Sequence, residues 1–419
     1  MSFRNDGVLA AGLLTGGALV FLATVANAEP REVLSVEQAV KMAIERRPIE
    51  EVQSARLREV DAEREAAKAW PNPTFSFDRE QQWEPGGSVA EDFFILEQSI
   101  PIWGVRRLRA EAAERRREAT KASNRARRLD RRIAVERAFY ASMRERQTLS
   151  LARDLREQIG QSVEIMEERR RADEASAYAV ERMRESLLEA EAEVDAARAS
   201  LVEARGELAA LVDRSATPTD AWSVTGELLP QKLPDLESLT ARLDERADLA
   251  KLRALARAES KAEKAIGRSL VPTPALRGGY KRIDDPAGGS LHGFVVGVSI
   301  ELPIFNQAGG ERRSASARRA GLKARERLRR NEAERRLRAA HRVAEIRLET
   351  ARRYREEAVK RAEELLESAR ERQEAGEGSV FELVDAHRTV FETKARAAER
   401  AWKAREAVIK VEEQAGGFP

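Results

Sequence analysis

The chain has 419 residues, no cysteine, 35% charged residues and only 5% aromatic residues. So few bulky side chains exclude a series of thick globular cores, and tracts rich in Ala, Arg, Glu and Leu favour long helices packed side by side. The 75 basic residues nearly balance the 72 acidic ones, which indicates an ion-paired helical surface rather than a nucleic-acid-binding one.

The N-terminus predicts export. Arg4 precedes an apolar stretch at residues 8–25, and Ala26-Asn27-Ala28 has the small residues of a cleavage site. We expect residues 1–28 to be a cleaved signal peptide; an uncleaved membrane anchor is the alternative. Without cysteine the exported chain has neither disulfides nor a lipid-modified cysteine, so packing or assembly must stabilise it.

The first half of the chain reads as a helix, a hairpin and two further helices. Hydrophobic periodicity predicts a helix at 35–69, strands at 74–80 and 92–100, a long helix at 106–171 and a shorter one at 177–212. An irregular linker follows at residues 214–233.

The second half repeats this order. We expect a helix at 236–268, strands at 275–282 and 292–302, a long helix, a break at Gly376 and Gly378, and a last helix at 379–414. Matching breakers recur about 200 residues apart; the pairs are Pro73 and Pro274, Pro101 and Pro303, and Ser176 and Ser379. The prediction is a mainly α chain with a small β part and a two-fold internal repeat, its repeats at 29–213 and 234–414, joined by the linker and followed by a tail at 415–419.

Helix lengths restrict how the repeats assemble. A helix of about 65 residues spans on the order of 100 Å, and helices of about 35 residues span on the order of 50 Å each. Two short helices stacked end to end therefore match one long helix, with the linker near mid-length.

Each predicted strand has two different faces. One parity is apolar, while the opposite parity contains Asp78, Glu97, Ser299 and Glu301, a pattern typical of a barrel wall between lipid and an aqueous lumen. The apolar set is Phe75, Phe77, Phe94, Leu96, Phe294, Val296, Val298 and Ile300.

Aromatic residues mark the points where strand meets helix. Trp70, Trp103 and Phe305 are placed as an interfacial belt would require. Four strands cannot close a barrel, and open edges are not tolerated in lipid, so the chain must oligomerise. The alternative is a pair of soluble β-hairpins capping a coiled coil.

Five segments together resemble the TolC-type outer-membrane efflux protein family, most closely its heavy-metal-efflux branch. They are LSVEQAVKMAIERRP at 34–48, AWPNPTFSF at 69–77, IPIWGVRRLRAEAA at 100–113, LPIFNQ at 302–307 and GEGSVFELVDAHRTV at 376–390. The resemblance implies a homotrimer whose twelve strands form one outer-membrane β-barrel, continuous with a periplasmic α-barrel. It also implies a passive exit duct that docks on a periplasmic adaptor protein and an inner-membrane pump.

No catalytic constellation emerges from the sequence. His292, His341 and His387 are far apart and have no ligand-spaced partner, so we expect no metal site, no cofactor and no enzymatic activity. Because Asp385 is two residues from His387, their side chains do not meet on a helix, and we expect a solvated histidine. The Arg-rich runs at 106–137 and 312–342 are expected to be solvated helix faces, since export argues against nucleic acid; contact with inner-leaflet phosphates or peptidoglycan is the alternative.

The resemblance places the candidate functional residues at the hairpin tips. Glu382 and Asp385 match the family's two acidic positions that ring the periplasmic entrance, where six carboxylates of a trimer would attract cations and make conduction pH-sensitive. Without the family match, both would be ordinary solvated charges.

The first-repeat tip departs from this pattern. Asp173 replaces Gly376, and Ala179 and Arg182 replace the two acidic residues, so acidic lining is expected from the second repeat alone. Asp tolerates the left-handed turn conformation, and we expect the turn to survive. The residues expected to contact the adaptor are Ala175, Ser176, Gly376, Gly378 and Ser379.

The expected function is a trimeric outer-membrane exit duct of a tripartite exporter for heavy-metal cations or small toxic compounds. Two alternatives remain open: a type I protein-secretion duct with the same fold, and a periplasmic coiled-coil scaffold without a pore. Ion conductance in a planar bilayer separates a duct from a scaffold.

Overall fold

The computed structural model describes residues 32–85, 87–214, 218, 221–284 and 289–418. The predicted signal peptide, residues 1–28, lies outside the described residues. Everything below concerns the described part of the chain.

The first repeat consists of a short strand, a hairpin of two strands and four helices. Its elements are β1 (Glu32–Leu34), α1 (Val36–Ile44), α2 (Arg47–Lys68), β2 (Thr74–Glu84), β3 (Gly87–Ser99), α3 (Val105–Arg171) and α4 (Ala177–Val212). The order agrees with the prediction, and both strands are longer than expected.

The second repeat has the same order after a short strand in the linker. Its elements are β4 (Trp222–Val224), α5 (Leu236–Ala241), α6 (Ala247–Arg268), β5 (Pro274–Asp284), β6 (Ser290–Ile300), α7 (Gly309–Arg353), α8 (Lys360–Glu374) and α9 (Val380–Ala415). Strand β4 pairs in parallel with β1, which ties the linker to the start of the first repeat.

Two predicted helices are broken where the sequence indicated one. The helix expected at 35–69 divides into α1 and α2 because Pro48 lies in the first turn of α2. Proline is tolerated there, since the first N–H groups of a helix have no intrahelical partner, but it prevents α1 from continuing into α2. The helix expected at 236–268 is broken into α5, a 3₁₀ turn at Leu243–Glu245 and α6. There Arg246 is extended, and its guanidinium donates to the main-chain oxygen of Gln414 at the end of α9.

The long helix of the second repeat is also not uniform. A π-helical turn at Tyr354–Val359 separates α7 from α8, whereas α3 runs unbroken for 67 residues. No Gly or Pro lies in this turn, so no residue that disrupts helices predicts it.

The four long strands form one antiparallel sheet in the order β2-β3-β5-β6. Directly paired residues share a face, and the register confirms that the predicted apolar residues all lie on one side. One complete row across the sheet is aromatic: Phe77, Phe94, Tyr280 and Phe294. These side chains are exposed in the single chain, Phe294 by 85%. The last strand ends at Ile300, three residues before Pro303.

The buried residues lie in separate clusters along the helices rather than in one globular core. The largest surrounds Trp222 and Phe139 near mid-length and joins α1, α3, α4 and the linker. Another lies at the far end of the helices, where α3, α4 and α9 meet. The sheet and the helix tips therefore occupy opposite ends of a long molecule.

Candidate functional site at the helical hairpin tips

The second-repeat tip is a tight turn between α8 and α9. Gly376 has a φ of +78°, and the N–H groups of Glu377 and Gly378 both donate to the main-chain oxygen of Arg372 at 2.9 Å. A Cβ on Gly378 would lie 2.9 Å from the backbone nitrogen of Gln373. Both glycines are therefore required, Gly376 by its left-handed conformation and Gly378 by the close approach of the chain.

The first-repeat tip makes a related turn without glycine. Asp173 has a φ of +59°, and the N–H of Glu174 donates to the main-chain oxygen of Arg169 at 2.7 Å. The prediction that Asp accepts the left-handed conformation at this position is confirmed. Ala175 occupies the place of Gly378, so the backbone around the first turn leaves room for a Cβ.

Ser379 and Glu382 form a capping box at the start of α9. The N–H of Glu382 donates to Ser379 Oγ at 3.1 Å, and the N–H of Ser379 donates to Glu382 Oε2 at 3.4 Å. Arg372 adds an ion pair to Glu382 at 3.7 Å. The sequence pattern Ser-x-x-Glu signals this arrangement, but it escaped the sequence analysis, which considered Glu382 only as a pore-lining charge.

Asp385 lies one turn further along α9 and is exposed. No ion pair or hydrogen bond to its side chain occurs within the described residues. Glu382 and Asp385 therefore present two carboxylates on the same helix face, the first restrained by its cap and the second free to reorient.

The first-repeat tip presents a cation and an aromatic contact instead. The guanidinium of Arg182 lies 4.9 Å from the centre of the Phe381 ring, an attractive cation–π arrangement. This contact joins the two tips within one chain. The buried residues below it are Leu155, Ile159, Val163, Met166, Val180, Met183, Ala190, Val380 and Val384.

His387 differs from the prediction. We expected a solvated histidine, but its side chain is buried, with 8% of the residue exposed. Burial, with the Arg370 guanidinium nearby, lowers the pKa of His387 to about 4, because charging the ring would bring an unsolvated cation next to another one. The sequence indicated the distance to Asp385 but could not indicate which neighbouring helix covers the ring.

The other two histidines have separate surroundings. His341 is buried, and its Nε2 lies 2.9 Å from the main-chain oxygen of Pro234. His292 is on the sheet, stacked against Tyr280 with a hydroxyl-to-Nδ1 hydrogen bond. Across the part of the chain described here, His, Asp and Glu residues form no group suited to hold a metal ion.

The three aromatic residues expected at a membrane interface all lie at the junction of sheet and helices. Trp70 is 58% exposed, Trp103 42% and Phe305 99%. Trp103 Nε1 donates to the main-chain oxygen of Pro272 at 2.8 Å, and the Arg106 guanidinium lies 4.6 Å from the Trp70 ring centre. Trp70 and Trp103 are thus fixed in position, while Phe305 projects freely.

The opposite face of the sheet carries ion pairs that the sequence analysis missed. Glu97 pairs with Arg277 at 3.2 Å, and Glu91 pairs with Lys281 at 2.6 Å. Only the register between β3 and β5 reveals these partners, because they are about 180 residues apart in sequence.

Comparisons with known proteins give a family match over part of the chain and a similar fold over most of it. Residues 39–213 match the model of the outer membrane efflux protein family. The fold is similar to solved outer-membrane channels, each of which matches 91% of this chain with a TM-score of 0.68. CusC is 16% identical and is covered to 92% of its own length. VceC of Vibrio cholerae is 18% identical and covered to 96%, and the open state of MtrE of Neisseria gonorrhoeae is 18% identical and covered to 89%. No curated protein sequence matches significantly. Among the described helices none has the length and hydrophobicity needed to cross a bilayer.

Proposed function

We propose that this chain is the passive exit duct of a tripartite efflux system in the outer membrane. The match of residues 39–213 to the outer membrane efflux protein family and the similarity of the fold to outer-membrane channels support the proposal. Three copies would assemble into one duct that receives substrates from an inner-membrane pump through a periplasmic adaptor protein. We also propose the domain division into repeats at 29–213 and 234–414, separated by the linker at 214–233.

The observation that carries this proposal is a sheet with two open edges and an exposed apolar face, attached to very long helices. An eleven-residue strand rises about 37 Å, which a tilt of about 40° reduces to about 28 Å, close to the apolar thickness of an outer membrane. Edges β2 and β6 must be paired in lipid. Three copies supply twelve strands, enough to close a barrel around an aqueous lumen.

The entrance to this duct would be formed by the second-repeat tips. Glu382 and Asp385 are exposed and lie one helical turn apart, so a trimer would bring six carboxylates to one narrow mouth. Such a ring favours cations over anions. The exposed turns around Ser176 and Ser379, with Ala175, Gly376 and Gly378, would contact the adaptor.

Heavy-metal cations or small toxic compounds are the proposed cargo. The face of the sheet opposite the apolar one carries Asp78, Glu80, Glu91 and Glu97 against Arg277 and Lys281, a net charge of −2 from these six residues. An acidic lumen suits cationic cargo, as does the sequence resemblance to the heavy-metal-efflux branch. A deletion strain should lose metal tolerance while its secreted proteins remain unchanged.

The entrance proposal is tested by single-channel recording of the reconstituted protein. We expect E382Q/D385N to lower the ratio of potassium to chloride permeability severalfold, because it removes six charges from the mouth. Gln is chosen at position 382 because it preserves the capping box. The matched control is E181Q/E185Q, which removes two exposed carboxylates at a similar depth on α4. Unchanged cation selectivity in E382Q/D385N, or an equal loss of selectivity in the control, would refute the assignment of Glu382 and Asp385 to the entrance.

A further inference from the structure

We propose that the two strand–helix junctions bind the phosphate groups of anionic phospholipids in the periplasmic leaflet of the outer membrane. The relevant segments are residues 100–109 in the first repeat and 304–313 in the second. The inference rests on the outer-membrane location in the proposed function and not on what the duct carries, so failure of lipid binding is distinguishable from failure of conduction.

Each junction begins with exposed apolar side chains. Ile102 is 56% exposed and Trp103 42%; in the second repeat Ile304 is 64% exposed and Phe305 99%. They continue the apolar face of the sheet, which ends at Ile300 on β6. Side chains of this kind lie at the boundary between acyl chains and headgroups.

Arginines follow directly in both repeats. Residues 100–109 contain Arg106, Arg107 and Arg109 and no acidic residue, and residues 304–313 contain Arg312 and Arg313 with one acidic residue, Glu311. The arrangement recurs although the two segments differ in sequence. A guanidinium binds phosphate through two parallel hydrogen bonds, and its long stem can extend along apolar surface.

The helices that end at this level bring further basic residues to it. Arg106 donates to the main-chain oxygens of Lys68 and Ala69 at the end of α2, and Arg268 at the end of α6 donates to that of Trp103 at 3.4 Å. These contacts show that Lys68 and Arg268 lie beside the junctions. The junctions and these two residues together form what we name the basic collar.

The charges of the collar are available to a ligand. Arg109, Arg312 and Arg313 are exposed and form no ion pair within the described residues. Arg107 is 73% exposed and has only a 3.5 Å contact with Glu111, which also binds Lys261. One to two turns further down α7 the arginines are neutralised, Arg318 by Glu259 and Arg319 by Glu263.

Anionic phospholipid is the occupant that fits this position. The collar lies where the lipid-facing sheet gives way to the periplasmic helices, so the phosphates of that leaflet are at the same height. Basic residues adjoining a bilayer surface attract anionic lipids, and the attraction falls off within a Debye length of about 10 Å. Arginines far down the helices should therefore contribute nothing.

The test uses the full chain reconstituted in phosphatidylcholine vesicles that contain brominated phosphatidylglycerol or brominated phosphatidylcholine. Quenching of tryptophan fluorescence, to which Trp70 and Trp103 contribute from the interface, gives the relative binding constant of the two lipids. We expect the wild type to prefer phosphatidylglycerol roughly threefold to tenfold, and R107Q/R109Q/R312Q/R313Q to show a ratio near one.

The matched control is K121Q/R125Q/R325Q/R327Q. It removes the same number of exposed positive charges from the same two helices, but about 24 Å below the helix starts, and should retain the wild-type preference. A wild-type ratio near one, or an equal loss in the control, overturns the proposal. A wild-type preference for phosphatidylglycerol that 0.5 M salt leaves unchanged also overturns it. This measurement uses only the wild type, so it decides the question even if the collar variant does not assemble. Binding of the collar to purified peptidoglycan with no lipid preference would also overturn it.

Discussion

The two helical hairpins share one connectivity but differ in how they are held together. The first pairs the unbroken α3 with α4 through clusters of fully buried residues, among them Ile159 and Met183 at 0% exposure. In the second, α8 buries only Ala362 and Leu366, and the apolar residues at the start of α9 pack into the first hairpin instead. The first hairpin is therefore apolar as far as its tip, whereas the second has apolar clusters between α7 and α9 but few buried side chains on α8.

Polar contacts hold α8 and the π-helical turn against α9. Lys394 pairs with Glu363 at 2.7 Å, and Arg400 lies 3.8 Å above the Tyr354 ring at the π-helical turn. Beside that turn is a cavity of about 480 Å³ lined mainly by Thr and charged residues. Because exposed ion pairs contribute at most about 1 kcal/mol each, α8 should be held less firmly than the helices of the first hairpin.

Truncation of a buried side chain should give the largest difference in stability loss between the two hairpins. We expect Ile159→Ala to cost about 2–5 kcal/mol, since the side chain is fully buried and its removal leaves a cavity. Leu365→Ala on α8 should cost less than about 0.5 kcal/mol because Leu365 is 52% exposed. Hydrogen exchange of the amides around each site measures both. Comparable losses of protection at the two sites would contradict the contrast between them.

Acidification should loosen the second tip. The pKa of His387 falls from 6.5 to about 4 in the folded chain, so between these values the unfolded state binds more protons and stability decreases as the pH falls. The resulting decrease in the free energy of unfolding is absent above pH 6.5 and reaches about 3 kcal/mol by about pH 4. Hydrogen exchange of α9 amides at pH 7.5 and 5 should detect most of this change.

The matched variant for the histidine is His387→Leu, which replaces the ring with an apolar side chain of similar size that cannot titrate. Its α9 amides should lose much less protection between pH 7.5 and 5 than those of the wild type. An identical pH dependence in the two proteins would refute the assignment to His387. The first tip, which has no histidine, should respond least in both proteins.

The turns should show a smaller difference. Gly376→Ala should cost about 1–2 kcal/mol because a Cβ is strained at a φ of +78°. Asp173→Gly should change stability by less than about 1 kcal/mol, since relief of the left-handed strain offsets the backbone entropy of glycine. Limited proteolysis at the two tips compares them directly. Greater sensitivity of the first turn would reverse the expected order.

Several features could be predicted because they depend on neighbours in sequence. Ser35 caps α1 with Gln38, an arrangement that the local pattern Ser-x-x-Gln specifies, and the alternation of Phe75 and Phe77 on β2 identified the apolar face. Asp173 was recognised as a turn residue for the same reason. Each of these features is decided within one or two turns of helix or a few residues of strand.

Other features depend on elements distant in sequence. The burial of His387, the Arg182–Phe381 contact and the ion pairs of Glu91 and Glu97 all require the packing of separate helices or the register of separate strands. The break before α6 depends likewise on Arg246 reaching the end of α9. No local pattern specifies these partners, because side chains meet across elements only once the fold has aligned them.

The sequence by itself determined the mainly α class, the repeated order of elements and the two faces of the strands, since composition and periodicity record how each segment partitions between water, protein and lipid. The tertiary structure alone decided which hairpin tip is apolar, where the long helix of the second repeat becomes π-helical and which charges are neutralised. Those properties arise from contacts between segments far apart in sequence, such as Arg137 with Glu413, which are 276 residues apart, and the free energy of such contacts exists only after packing.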